Sequence, residues 1–186
     1  MEVDRLNFLD TGKQLEKIRV EDAEALSALC LEIYPQYYLY LWYDSGAWYQ
    51  QMRYSPAALT KELADTQSEF YWIKKEDHRV GYLKINLNTQ PDTDSFPTHS
   101  AGLEIERIYL LKAYAGMKLG QQAMAWAEAR ARQLGKAYVF LYTMDSSEAR
   151  WFYHKLGYEM RGGKRLPFEK MKPEYRGVYL MIKELQ

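Results

Sequence analysis

Residues Leu103–Gly120, LEIERIYLLKAYAGMKLG, carry the clearest secondary-structure signal in the chain. Leu103–Leu111 alternates between two sets of residues and predicts a strand, and helical spacing of apolar residues continues from the loop to Leu134. Gly116 and Gly120 lie between strand and helix. Glycines allow close backbone approach, and a helix N-terminus carries partial positive charge, so this loop could bind an anion. A tight turn without a ligand is the alternative. A nucleotide-phosphate binder is not favoured, because the Walker and GxGxxG patterns are absent.

The strand predicted at 103–111 alternates in character. One set is Leu103, Ile105, Arg107 and Tyr109, and the other is Glu104, Glu106, Ile108 and Leu110. A period of two predicts that the two sets face opposite sides of a sheet. Glu104 and Glu106 would then share a face, where neighbouring carboxylates and burial raise the pKa. Salt bridging or solvent exposure is the alternative for each.

The segments outside this unit alternate between strands and helices. Upstream, the patterns predict a short strand at 18–20, helices at 21–33, 37–53 and from Ser55, and a hairpin at 70–74 and 80–87. Downstream, they predict a strand at 137–143, a helix at 145–156 with Asp145 and Glu148 as a capping box, and strands at 158–160 and 175–183. This order predicts an α/β (α+β) protein with about seven strands of mixed direction.

Length and composition restrict the class of protein. The 186 residues are consistent with one domain, 1–186, and 25 basic against 25 acidic residues argue against a dedicated nucleic-acid or membrane-surface binder. One cysteine, Cys30, excludes an internal disulfide framework. No apolar run approaches the roughly 20 residues that span a bilayer. We therefore expect a soluble, cytoplasmic protein.

The segment Asp145–Tyr158, DSSEARWFYHKLGY, resembles the N-x-x-A-x-x-F-Y-x-x-x-G-F signature of the GNAT superfamily of acyl-CoA-dependent N-acetyltransferases. Residues 106–120 resemble the same superfamily's fourth strand and pyrophosphate loop, Q/R-x-x-G-x-G/A. The pattern departs at three positions, with Ala115 for Gln or Arg, Lys118 for the first glycine and Ser146 for Asn. The resemblance covers 103–158. It implies a mostly antiparallel sheet with helices on both faces and a splayed parallel strand pair.

The resemblance also implies acetyl-CoA as acyl donor and assigns residues to it. The strand would form hydrogen bonds with the pantetheine arm, and the loop would hold the pyrophosphate. The residues expected to bind the cofactor are Ile108, Tyr109, Leu110, Ala115, Gly116, Met117, Lys118, Leu119, Gly120 and Ser146. The Lys118 ammonium either pairs with a phosphate or is solvated. No metal is expected.

In this superfamily the amine attacks the thioester directly, through a tetrahedral intermediate. The resemblance makes Tyr153 the general acid that protonates the leaving thiolate, a core tyrosine being the alternative. An ammonium near pKa 10 must first lose a proton to a base or to a water chain. Glu104 and Glu106 are the candidate bases, with Glu106 preferred because it lies closer to the cofactor end.

The aromatic segment Tyr34–Tyr54 falls where the superfamily covers its acceptor. Tyr38 and Trp42 could bind a cationic amine through cation–π contacts, with Asp44 as a counter-charge. Core packing or a homodimer surface is the alternative. The expected substrate is therefore a small-molecule primary amine, for instance a polyamine. A protein or peptide N-acetyltransferase and a non-catalytic acyl-CoA-binding regulatory module remain the competing interpretations.

Overall fold

The computed structural model describes residues 14–92 and 101–185. Within them, seven strands form one sheet in the order β1-β2-β3-β4-β5-β7-β6. The strands are β1 (Leu15–Lys17), β2 (Ser68–Lys75), β3 (His78–Thr89), β4 (Gly102–Leu110), β5 (Tyr138–Met144), β6 (Glu159–Arg165) and β7 (Gly177–Glu184). β4 and β5 are parallel, and the other neighbours are antiparallel. The predicted mixed, mostly antiparallel sheet is confirmed.

Helices cover both faces of this sheet, as predicted. They are α1 (Ala23–Ile33), α2 (Ala47–Tyr54), α3 (Pro56–Leu63), α4 (Leu119–Gln133) and α5 (Ala149–Lys155). The first three pack with Trp72 and Tyr82 on one face, whereas α4 packs with Leu83 and Leu103 on the other. In residues 14–92 and 101–185, no helix has the length and apolar character required to cross a bilayer.

A β-bulge at Glu106 changes the faces predicted for β4. Lys84 of β3 pairs with Arg107, whereas the next residue of β3, Ile85, pairs with Ile105. The extra residue reverses the alternation beyond it. Ile108 therefore joins Leu103 and Ile105 against α4, and Tyr109 packs with the aromatic core instead. The single alternating pattern predicted along 103–111 is wrong, because it assumed an uninterrupted ladder.

The parallel pair β4–β5 separates soon after it begins. Only Leu103 with Val139 and Glu104 with Phe140 are in register, although both strands continue for several residues. The carboxyl ends of the two strands are therefore splayed, as the resemblance implied. The gap exposes backbone groups that an intact sheet would satisfy.

The aromatic segment is less helical than its sequence predicts. Two 3-10 turns span Tyr34–Gln36 and Leu39–Leu41, Trp42 forms an isolated bridge with Met171, and an α-helix begins only at Ala47. Gly46 has a left-handed backbone (φ 79°), and the Asp44 carboxylate accepts hydrogen bonds from the amides of Gly46 and Trp48. This turn starts a new helix instead of continuing one across 37–53.

The last helix also begins later than predicted. α5 starts at Ala149, whose amide donates to Ser147 Oγ at 3.1 Å, and Glu148 is the N-cap residue. The capping box of Asp145 with Glu148 is wrong, because 145–148 form a turn in which the Asp145 amide donates to the Gly177 carbonyl. The turn carries the chain from β5 to α5 beside the splay.

Candidate functional site

Three neighbouring spaces with shared lining residues surround the splay between β4 and β5. The loop groove, about 520 Å³, lies beside the glycine loop; the aromatic cavity, about 190 Å³, is lined by both β4 and β5; and the charged pocket, about 430 Å³, is lined by Glu104, Glu106 and their charged neighbours. The loop groove and the aromatic cavity share Tyr38, Ile108, Tyr109, Ala149 and Tyr153. The aromatic cavity and the charged pocket share Glu106, Tyr142 and Leu166.

Most residues expected at the cofactor line the loop groove. They are Ile108, Tyr109, Leu110, Ala115, Gly116, Lys118, Leu119 and Gly120. Met117 is not among the lining residues, and its side chain is 51% exposed. Ser146 is exposed in the turn before α5 and lines none of the three spaces, whereas its neighbour Ser147 lines the aromatic cavity. A side-chain role for Met117 or Ser146 gains no support from this placement.

The backbone of β4 offers hydrogen-bonding groups to the gap. The Leu111 amide donates to the Val80 carbonyl of β3 at 2.9 Å. Since backbone groups alternate in direction along a strand, those of Tyr109 also face β3, whereas those of Ile108 and Leu110 face away from it. β5 does not pair with this part of β4. An extended ligand could therefore bond to Ile108 and Leu110 as an added strand.

The glycine loop ends at the N-terminus of α4, where the geometry suits an anion. Helix geometry leaves the first-turn amides without intrahelical acceptors. Gly116 has φ 79°, and a Cβ there would meet nothing within 4 Å. Lys118, the N-cap residue, is also left-handed (φ 62°), which a lysine adopts at a cost. The loop thus keeps a glycine-like shape although the usual glycine is replaced.

Replacing Lys118 with glycine tests two properties of this residue, the strain of its left-handed backbone and the charge of its side chain. We expect Lys118→Gly to raise the free energy of unfolding by about 1 kcal/mol, because glycine adopts positive φ freely. If the ammonium pairs with a phosphate, the Kd for coenzyme A should also rise several-fold at low salt. Thermal unfolding and calorimetry measure the two effects. Gly116→Ala is the opposite control: alanine at this positive φ would strain the backbone without a steric clash and should lower stability. A lower Tm for Lys118→Gly would contradict the conclusion that the Lys118 backbone is strained.

Tyr153 lies where the loop groove meets the aromatic cavity. Its ring packs against Phe152 and Tyr158, with centroids 5.2 and 6.3 Å away, and its side chain is half-buried. Burial raises the pKa of its phenol to about 12. The hydroxyl therefore keeps its proton throughout the neutral range and can donate to an anion in the splay.

The segment 34–49 and Phe168 supply five of the eight aromatic residues that line the aromatic cavity, and β4 and β5 supply much of the remaining wall. Trp42 is 2% exposed and donates from Nε1 to the Tyr34 hydroxyl at 2.7 Å, so it belongs to the core and lines the cavity as well. Tyr38 packs edge-on against Tyr109 at 5.6 Å and lines both spaces. The two sequence interpretations, core and pocket wall, therefore describe the same side chains.

Asp44 lies away from these walls. Its carboxylate accepts from two backbone amides at the start of α2 and lies 3.8 Å from Lys170 Nζ. It is not among the residues that line the aromatic cavity. The geometry gives no support to its predicted role as counter-charge for the acceptor.

The two candidate bases share a face but differ in surroundings. Glu106 contacts the side chains of Arg53, Arg107 and Lys84. Burial would raise its pKa, but Arg107 and Lys84 outweigh burial and lower it to about 2. Glu104 has no salt bridge among the described residues, and burial together with Glu106 raises its pKa. The sequence preference for Glu106 is therefore not supported by its environment, although Glu106 alone of the two lines the aromatic cavity.

A family comparison identifies the scaffold. Residues 27–158 match the model of the acetyltransferase (GNAT) family. The chain belongs to the GNAT family. The match includes β4, the glycine loop and the signature at 145–158, so the resemblance seen in the sequence is confirmed. A curated relative, an uncharacterized N-acetyltransferase of Lactobacillus delbrueckii subsp. lactis, is 35% identical over 97 residues. That alignment covers 52% of this chain and 54% of the relative, so the chain spans about half the length of the curated relative it matches.

Solved structures share the GNAT fold at low identity. The PaiA N-acetyltransferase of Thermoplasma acidophilum, solved with coenzyme A, is 18% identical with a TM-score of 0.65 over 92% of this chain and 98% of that one. The smu.2055 protein of Streptococcus mutans is 17% identical, with a TM-score of 0.68 over 92% and 99%. Chaetomium thermophilum Naa20, solved with a bisubstrate analogue, is 19% identical, with a TM-score of 0.59 over 92% and 86%. These likenesses establish the fold alone.

Sequence reasoning missed three residues that surround the Glu106 carboxylate in this GNAT site. Lys84 and Asn86 of β3 and Arg53 of α2 all contact the Glu106 carboxylate. If the pairing of β3 with β4 had been known, it would have placed Lys84 and Asn86 beside β4. The bulge interrupts the alternation of side chains, so the sequence pattern does not give that pairing. Arg53 lies at the end of an aromatic helix and gave no signal.

Proposed function

We propose that this GNAT protein transfers the acetyl group of acetyl-CoA to a primary amine of a small molecule. The observation that carries the proposal is the meeting of the loop groove and the aromatic cavity at Tyr153, inside the β4–β5 splay. A donor in the groove and an acceptor in the cavity would have their reacting ends at the same residue. Proximity of this kind contributes a large part of catalysis.

The residues of the loop groove fit the donor. Ile108 and Leu110 would bond the pantetheine arm through backbone groups, and the amides at the start of α4 would hold the pyrophosphate. Gly116 and Gly120 leave the space open, since an added Cβ would meet nothing within 4 Å at Gly116 and only side chains at 3.7 Å or beyond at Gly120. Acetyl-CoA supplies the activated thioester.

The reaction needs three proton movements, and two groups of the site can share them. The ammonium loses a proton through water to Glu104, and the neutral amine then forms the C–N bond with the acetyl carbon. The C–S bond breaks, the sulfur takes a proton from the Tyr153 hydroxyl, and the extra proton left on the nitrogen returns to the Tyr153 oxygen through water. The Leu110 amide, which faces the gap, is the candidate donor to the oxyanion. Glu106, which stays ionised at the wall of the aromatic cavity, is paired with Arg53, Arg107 and Lys84 and is not the proton acceptor in this scheme.

The size and lining of the aromatic cavity support a small acceptor. Its volume of about 190 Å³ compares with the roughly 30 Å³ that one water occupies in the liquid. Burial raises the pKa of Tyr34, Tyr38 and Tyr109 in or beside it, so these phenols stay neutral. Neutral aromatic walls attract a cation by its charge and an alkyl chain by its apolar surface. A small alkylamine, including a short polyamine, meets both conditions.

A thiol-release assay with acetyl-CoA tests the proposal. The acceptor panel contains polyamines, amino acids, aminoglycosides and short peptides, and mass spectrometry confirms the acetylated product. Release with small amines and not with peptides is the expected result. Release with peptides alone would replace the proposed acceptor class with a protein N-acetyltransferase. Calorimetric binding of coenzyme A without release across the panel would indicate a non-catalytic acyl-CoA-binding module.

A further inference from the structure

Three polar side chains form a row across β2, β3 and β4. Ser68, Asn86 and Glu104 are direct cross-strand partners in the register of these antiparallel strands. Ser68 Oγ donates to Asn86 Oδ1 at 2.8 Å, and Asn86 Nδ2 donates to Glu104 Oε2 at 2.8 Å. The same nitrogen also donates to Glu106 Oε2 at 2.8 Å. One amide group therefore bridges the two carboxylates.

The bonding pattern fixes the orientation of this amide. A primary amide has two N–H donors and one carbonyl acceptor. Both carboxylates accept from the nitrogen, and the serine hydroxyl donates to the oxygen, so a flipped Asn86 would set its oxygen against two carboxylates. The two carboxylates, which only accept, thus select the orientation in which both N–H groups point toward β4, and the Ser68 hydroxyl, which can donate or accept, completes it by donating to Oδ1.

Titratable and charged groups from several elements face Glu104, and the salt bridges among them leave Glu104 out. They are Glu106 of β4, Lys84 of β3, Arg53 of α2, Glu62 of α3, Tyr142 of β5 and Lys164 of β6. Lys84 and Arg53 pair with Glu106 and Glu62, and Lys164 pairs with Asp92. Glu104 accepts from the neutral Asn86 amide and has no cation within salt-bridge distance among the residues that the structure describes.

We propose that Asn86 is a positioning residue of the acetyl transfer, which holds Glu104 beside Glu106 as the proton acceptor of the site. The inference rests on the proposed function. Glu104 and Glu106 would repel each other, and the amide is shared between them, so both carboxylates stay close and aimed into the charged pocket. A cation at residue 86 would bind Glu104 more strongly but would remove its proton affinity, as the cations around Glu106 do. A neutral donor orients Glu104 and leaves it able to accept a proton.

The pH–rate profile of Asn86→Leu tests this role. Loss of an N–H bond to an ionised carboxylate disfavours the charged form, so the acidic limb of kcat/KM should move to higher pH. We expect the rate on that limb to fall about tenfold, with little change on the plateau. Asn86→Asp, which keeps the shape and adds a third carboxylate, should move the limb further, and Ser68→Ala should move it less.

Asn88→Leu is the matched control. Asn88 lies on the same strand two residues away, but its amide bonds Gln67 and Lys136, so its profile should equal that of the wild type. If Asn86→Leu fails to fold, the isosteric Asn86→Asp and Ser68→Ala carry the same prediction. Unchanged acidic limbs in these variants would overturn the inference.

A carbon-13 NMR titration of the glutamate carboxyls separates this inference from the proposed function. Glu104→Gln assigns the Glu104 signal. In Asn86→Leu or Asn86→Asp its midpoint should move upward even if no acceptor amine is found. An unmoved midpoint overturns the positioning role, whereas a moved midpoint with no thiol release for any amine overturns the proposed function alone.

Discussion

Tyr153→Phe is expected to lower turnover about a hundredfold while leaving the Kd for coenzyme A almost unchanged. General acid catalysis contributes roughly 10²–10⁴-fold, and the phenol, whose pKa burial raises to about 12 and which is protonated at neutral pH, is a donor at the wall that the two spaces share. The substitution removes one oxygen and leaves the ring packing with Phe152 and Tyr158. The loss should therefore appear in kcat. Thiol release gives kcat, and calorimetry gives the Kd.

Tyr179→Phe is the control for this experiment. Tyr179 lies on β7 and lines neither the loop groove nor the aromatic cavity, so its removal should leave both constants unchanged. Equal turnover of Tyr153→Phe and wild type with a competent amine would show that another group, or water, protonates the thiolate. An equal fall in both variants would indicate a general loss of structure instead.

Glu104→Gln is expected to lower kcat/KM about a hundredfold near neutral pH and to remove the acidic limb of its pH profile. A base works when it is deprotonated, so the rate of the wild type should rise as the pH passes upward through the pKa of Glu104, which burial and Glu106 raise above its usual value. Glutamine keeps the shape but cannot titrate. The variant should retain only the dependence on the acceptor amine, whose own pKa is near 10.

Glu106→Gln is the matched comparison for Glu104→Gln. Because the pKa of Glu106 is lowered to about 2, this carboxylate is ionised at every working pH, and its loss should not remove the acidic limb. It should lower stability, since Arg107 and Lys84 would lose a buried partner. An acidic limb that persists in Glu104→Gln and disappears in Glu106→Gln would restore the preference that the sequence suggested.

The glycine loop and the helix that follows it were predictable because their signals are local, and the cofactor role of their residues stays a prediction. The loop at 115–120 lies between a strand and a helix, and left-handed backbone at Gly116 and Lys118 follows from the tight turn that this connection requires. The signature at 145–158 fixed the family for a similar reason, since its small and aromatic residues lie on one short helix. The sequence could not show that Ser147, and not Ser146, lines the aromatic cavity, because the exact start of that helix depends on the turn before it.

The acceptor side depended on contacts between distant segments. The bulge at Glu106 arises from the pairing of β4 with β3, and it brings Arg107 to the same face as Glu106. Arg53, 53 residues away in sequence, reaches the same carboxylate. The sequence around a glutamate therefore does not show which cations will contact it in the fold and lower its pKa.

The sequence by itself determined the family, through the motifs at 106–120 and 145–158, and the resemblance to that family implied the splayed parallel pair. Short-range periodicity, glycine and helix termini determined the alternation of strands and helices and the position of the glycine loop before α4. The tertiary structure decided which carboxylate lies among cations, which aromatic rings line the cavity proposed for the acceptor, and that Asn86 joins Glu104 to Glu106. These depend on strand register and on charge brought together from α2, β3 and β4, because electrostatic energy is set by distance in space and not by distance along the chain.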